Sequence, residues 1–381
     1  MAMFPLTLLL GLLVLSSSQA PATLSASIDA LGSFDFATRT AAARAVRRAP
    51  AAEVVPALEA AARTHADQYV RFRALVLLSG IDAATTSRVT TDLIADRNDR
   101  VRTVAYQWLE RHPQPALVPR LLASLPSETS EFVRPALTRA LVVAAVDNAE
   151  ARETVRSLVL RGEDLFRGTV IAAIGDHRAA YALPELLQVV PLDGPLQDDT
   201  VTAIGRIGDV STRNVIAGLQ AAGSREIQPG VSAALCLLQV DCEARIRFVI
   251  ETLRFAVSSD RQIPLLRGAV HAAGVLASAG HTEAFEAVID TALASTGAVR
   301  DALTLGLGSI VLRQPALALQ TFEARRQAPD VAALFQDSFD MLSEDFDEEQ
   351  LGADVRRAFW AAAEGSARRT AAASLLDALE F

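Results

Sequence analysis

A stretch beginning at Thr169, TVIAAIGDHRAAYALPELL, is followed from Thr200 by a near paraphrase, TVTAIGRIGDVSTRNVIAGL, so that Ile-Gly-Asp recurs 33 positions on, from Asp176 to Asp209. A unit this short, written twice, cannot bury its own apolar stripe. It buries it by stacking on the next copy, which makes a fixed period the strongest constraint a sequence can place on a fold.

The phase extends far beyond these two copies. An apolar residue or Thr followed by Arg occurs at Thr38-Arg39, Val70-Arg71, Val101-Arg102, Val133-Arg134 and Phe166-Arg167, at intervals of 31 to 33 residues. It passes through Asp199-Thr200 and Val231-Ser232, where the Arg is lost, and returns at Leu266-Arg267 and Val299-Arg300. Each period holds two helical patterns. In FRGTVIAAIGD, Phe166, Val170 and Ile174 share a face at helical spacing, and Gly175 reads as the stop. A second stripe runs through Ala182, Leu183, Leu186 and Val190. Two helices of about three turns and two short turns use up the period. Composition agrees: 51% of residues are hydrophobic with Ala, Leu and Val dominant, and only 5% are aromatic, which favours helix over strand.

These stretches resemble the HEAT-repeat family, in particular the short repeats of bilin-lyase-like proteins. The resemblance rests on the register of the anchors and on Pro56, Pro119 and Pro184, which stand where that family's first helix is bent. Asp99, Glu131 and Asp164 stand three residues before the repeated Arg, where a helix N-terminus favours negative charge. The resemblance implies a right-handed all-α solenoid of stacked antiparallel helix pairs with a period of about 32 residues, roughly nine to eleven pairs in all. Three segments follow: 1–22 as a signal peptide, 23–329 as the repeat solenoid, and 330–381 as acidic C-terminal capping repeats of the same solenoid.

Two roles are open to the arginine column Arg71, Arg102, Arg134, Arg167, Arg267 and Arg300. It is expected to be a structural ladder, because planar guanidinium groups suit partly buried carboxylates; the alternative is a ligand-facing basic stripe. The resemblance places the second helix of each pair on the concave surface, which makes Arg73, Tyr106, Gln107, Arg139, Arg206, His271 and Thr304 the binding candidates. His65, His112, His177, His271 and His281 show no metal-ligand spacing, and none is followed by Glu. No catalytic residue, cofactor or metal is expected. Cys236 and Cys242, in CLLQVDC, leave two readings open: a disulfide across the turn, or a buried thiol beside an unrelated, partly exposed one. In the tail, Asp345, Asp347 and Glu349 lack the Gly and distal Glu of a calcium loop, so a solvated cap is expected, with Phe359 and Trp360 packing it onto the preceding pair.

The first residues, MAMFPLTLLLGLLVLSSSQAPA, place an apolar run from Leu6 to Leu15 before Ala20-Pro21-Ala22, a cleavage pattern for export across a bacterial inner membrane to the periplasm or beyond. No Arg precedes the run, so an uncleaved N-terminal anchor is the alternative. All cationic residues are Arg, and the net charge of −9 repels nucleic acid and anionic membranes at long range. The expected function is a non-catalytic exported scaffold that binds a protein or peptide on its concave face. The alternatives are a lyase or chaperone-lyase resembling the bilin-attachment proteins, and a structural spacer of the cell envelope.

Overall fold

The computed structural model describes residues 23–258, 260–325, 328–340 and 346–379. Residues 1–22, expected from the sequence to be a signal peptide, and Asp345 lie outside them. The described residues form helices and turns, with no strand among them. The chain begins with α1 (Leu24–Ala30), α2 (Phe36–Arg48), α3 (Ala51–Thr64), α4 (Gln68–Ile81), α5 (Ala83–Leu93), α6 (Asp99–Arg111), α7 (Val118–Ser124) and α8 (Val133–Ala144). It continues through α9 (Ala149–Leu160), α10 (Asp164–Asp176), α11 (Leu183–Val189), α12 (Gln197–Ile207), α13 (Arg213–Ala222), α14 (Gln228–Leu237) and α15 (Cys242–Ala256). The last third is α16 (Ile263–Ser278), α17 (Glu283–Leu293), α18 (Gly297–Arg313), α19 (Pro315–Ala324), α20 (Pro329–Asp340), α21 (Phe346–Ala361) and α22 (Ala367–Ala378).

This is an all-α solenoid. The even-numbered helices from α4 to α18 each pack on the next and form an inner layer, and the odd-numbered helices from α3 to α19 cover them. The proline positions are realised in two ways. Pro56 lies within α3, whereas Pro119 and Pro184 start α7 and α11 just after 3-10 turns at Pro115–Leu117 and Ala180–Ala182. A proline is tolerated at a first helical turn because its missing N–H has no intrahelical partner there.

The expectation for Gly175 is overturned. It sits inside α10, buried, and a Cβ there would lie 2.7 Å from Ala203 Cα on α12. Gly205 repeats the device one helix on, where a Cβ would lie 2.6 Å from Ala234 Cα on α14. These two glycines let backbones of the inner layer touch. The chain instead turns away two residues after α10 through Arg178, left-handed at φ 50°, and α12 is capped by the left-handed Gly208 at φ 79°. Asp176 and Asp209 are therefore not equivalent: Asp176 is the last helical residue, and Asp209 caps the next 3-10 turn through Ser211 N–H.

The tail departs from a solvated cap. Helix α21 packs on α18 and on α4, so the inner layer closes into a circuit from α4 to α18, through α21, and back to α4. Phe346 is buried in the N-terminal core. Glu349, 1% exposed, accepts hydrogen bonds from Arg47 (2.6 Å) on α2 and Arg356 (2.9 Å), over a site that only Gly80 leaves open. Gln350 donates to Ser79 Oγ at 2.9 Å, and Arg111 pairs with Asp347 at 2.7 Å. With both described acids of the would-be calcium loop paired to arginine, the acidic run serves as adhesive between the chain's two ends. Phe359 is partly buried against the C-terminal core, but Trp360 is exposed, with Arg369 over both rings.

The arginine column is mostly a ladder. Arg71 pairs with Asp96 of the next turn, Arg102 with Asp99 and with buried Glu128 (2.9 Å), Arg167 with Asp164, and Arg300 with Asp337. Arg134 departs from the pattern: it donates to the carbonyls of Leu125 and Glu128 and stacks over Phe166. Arg267 lines a cavity described below. Replacing Arg102 with Ala is expected to lower stability by about 1–3 kcal/mol, since Glu128 is left poorly satisfied. Urea melts showing a loss under about 0.5 kcal/mol, the range of ordinary surface changes, would refute the ladder.

Candidate functional site

The close contacts at Gly175 and Gly205 draw together the C-terminal ends of inner helices, and charged side chains converge there. Arg139 of α8 donates to Glu110 at the end of α6 (2.7 Å) and to Asp176 at the end of α10 (2.9 Å). Asp176 also accepts from Arg206 of α12 and, at 2.7 Å, from Arg313, the last residue of α18. His177 Nε2 lies 2.8 Å from Glu110 Oε1. The Arg313–Asp176 pair joins α18 and α10, helices that are not neighbours in the circuit. Helix C-termini carry partial negative charge, which suits Arg206 and Arg313 and disfavours Asp176 and Glu110. The surrounding arginines reverse that preference for the acids.

Titration of the network follows. Burial works to raise the Glu110 carboxyl, but the hydrogen bonds from His177 and Arg139 outweigh it and hold Glu110 at about 2. Asp176 is likewise held below the usual carboxylate range, with burial opposed by Arg313, Arg206 and Arg139. Burial pushes the Arg206 guanidinium down, offset in part by Asp176. Because the folded-state value of Glu110 lies below its ordinary 4.5, its contribution to stability is complete above pH 4.5 and is lost as pH falls through about 2. Urea midpoints are expected to drop across that interval in the parent and to drop less in Glu110→Gln.

Two adjoining cavities flank this network. One, of about 630 Å³, is lined by Arg111, Arg139, Arg178, Arg206 and Arg313 against only two carboxylates, Glu110 and Asp176. The other, of about 370 Å³, is more apolar, with Val270, Leu305 and Ile310 in its wall, and shares Arg206, Arg313 and Gln314 with the first. In its wall Gly306 lets α18 approach α16 closely, since a Cβ there would lie 2.4 Å from Val270 Cγ1. At its edge His271 Nδ1 lies 3.7 Å from Asp198 Oδ2, and burial raises the neighbouring Asp199 carboxyl. Arg206 Nε, at the junction, is buried with no hydrogen-bond partner among the described residues.

The concave-face candidates divide. Arg139, Arg206 and His271 line these cavities, and Gln107 lines a third, of about 220 Å³, beside Phe132 and Phe346. Arg73, Tyr106 and Thr304 are instead buried among packed helices; Tyr106 donates to Ile94 O at 3.0 Å. The inner helices pack on neighbours at both flanks, so fewer of their faces reach a groove than one exposed side would allow. Cys236 and Cys242 form a disulfide, with Cα atoms 4.1 Å apart. Glu110, Asp176, Asp198, Asp199 and Arg313 were not singled out in the sequence. Asp176 belongs to the repeated motif, but a helix stop at Gly175 leaves it outside the helix that it in fact ends.

Fold and site together define a helical-repeat solenoid whose inner layer holds a polar centre. Residues 55–142, spanning α4 to α6 with most of α3 and α8, match the family model of HEAT repeats. That stretch carries HEAT repeats, and repeats of this kind suggest a scaffold for protein interaction. No curated protein matches the chain.

Proposed function

We propose that the chain is an exported, non-catalytic scaffold that holds an acidic segment of a protein partner at the centre of its inner layer. The observation that carries this reading is the excess of arginine over carboxylate in the larger cavity, joined to an apolar cavity through Arg206 and Arg313. A carboxylate-bearing peptide with an apolar side chain matches both halves: guanidinium forks bind carboxylates, and the apolar wall takes the side chain. Volumes of this size suit a few residues of extended chain rather than a folded domain. The leader pattern at 1–22 and the disulfide both fit an oxidising compartment outside the cytoplasm.

Capture of partners from envelope extract by the full chain, followed by binding measurements with the partner's acidic segment, tests the proposal. Arg313→Gln is expected to weaken binding by about tenfold and to flatten its salt dependence, as removal of one charge-assisted contact does. Its melting should stay close to the parent, because the Arg313 side chain is 55% exposed and Asp176 keeps Arg139 and Arg206. Parental affinity in a folded Arg313→Gln would sink the central site.

A further inference from the structure

Away from the central cavities, the turn between α14 and α15 and the loop between α16 and α17 bring three soft ligands together. Cys236 ends the buried part of α14, Cys242 opens α15, and His281 follows Gly280 in the loop. Their ligand atoms all lie within 4.8 Å of one another. His281 Nε2 faces Cys242 Sγ at 3.5 Å, and the His281 loop is tied down by its N–H donating to Leu276 O at 3.1 Å. The turn that carries Cys242 back toward Cys236 holds two non-glycine residues left-handed, Gln239 at φ 64° and Asp241 at φ 46°. A disulfide needs no imidazole beside it. A tetrahedral zinc site often uses one: metal–ligand lengths of about 2.3 Å for sulfur and 2.0–2.1 Å for nitrogen put sulfur and nitrogen roughly 3.5 Å apart, the distance found between Cys242 and His281.

We propose that Cys236, Cys242 and His281 bind a thiophilic divalent cation of the zinc type when the two cysteines are reduced, and that closure of the disulfide releases it. The half-buried Cys242 and His281 leave one side of the site open, so water completes the coordination. The N-terminus of α15 favours the thiolate that the metal requires at Cys242. Metal binding by the dithiol expels two protons. Oxidation of the bound form transfers two electrons from the thiolates to an exchangeable disulfide. That oxidant takes up two protons and is reduced to two thiols, while the protein's sulfur–sulfur bond forms and the cation leaves.

The test uses the full chain, reduced with a phosphine that is then removed, and titrated with Co²⁺ under argon. A saturable thiolate-to-cobalt charge-transfer band at one ion per chain, abolished by oxidised glutathione, is the expected result. His281→Ala should re-form its disulfide, seen by mass, yet bind Co²⁺ about tenfold or more weakly, at least the cost of losing an outer-shell partner. His281→Cys should restore tight binding with a three-thiolate spectrum. A reduced parent without the band, or a His281→Ala that binds as the parent does, overturns the proposal. Should His281→Ala fail to fold, His281→Cys decides: the three-thiolate band supports the site and its absence refutes it.

Discussion

Glu349→Lys is expected to cost about 3–5 kcal/mol, the range for breaking a buried ion pair from one side. The parent carboxylate sits between Arg47 and Arg356 and is almost fully withdrawn from water. A lysine there places a third cation beside two that have lost the carboxylate they share, in a pocket sized by the bare Gly80 for a shorter side chain. The substitution acts on the seam where α21 meets α4, so small-angle scattering should show a larger radius of gyration alongside the lower urea midpoint. An unchanged midpoint and radius would mean that the seam does not hold the circuit shut.

Gly205→Val is expected to destabilise by about 3 kcal/mol or more. Overpacking against side chains costs about 1–3 kcal/mol because rotamers give way; here the obstruction is backbone, Ala234 Cα at 2.6 Å, and α12 must move off α14. That movement also displaces Arg206 from Asp176. Gly218→Ala, in α13 with nothing within 4 Å of its added Cβ, supplies the control and should be neutral or stabilising by up to about 1 kcal/mol. Equal melting of the two variants would rule out close backbone contact as the reason for the glycine.

What could be read from the sequence was what depends on neighbours along the chain. The period, the helix pairs and the all-α solenoid follow from stripes such as Phe166, Val170 and Ile174, where local geometry decides which residues share a face. The ladder partners of Arg102 and Arg300 were legible in kind, because a period places a carboxylate of the next unit within reach. What escaped was everything joining distant repeats. Nothing in the spacing of Asp176 and Arg313, or of Arg47 and Glu349, signals that they meet, since the period is silent on curvature. The glycines set that curvature, and Gly175 was misread because a helix stop and a backbone contact call for the same residue. Tyr106 and Thr304 failed as surface candidates because helical spacing alone does not say which side of an inner helix is packed: Thr304 is buried, and Tyr106 reaches the Ile94 carbonyl at the end of α5.

The closed circuit changes how the protein should come apart. In an open repeat array each unit leans only on its neighbours, so the terminal units fray first and unfolding can proceed in stages. Here residues about 300 positions apart are in contact: Arg47 with Glu349, 302 positions on, and Ser79 with Gln350, 271 positions on. The first repeats therefore complete their packing only after the last helices have arrived. Loss of the seam at either side exposes the apolar faces of both ends at once, which links the stabilities of the first and last helices. Amide exchange in α4 and in α21 should accordingly share a single opening free energy, and the circuit from α4 through α21 behaves as a loop of coupled units.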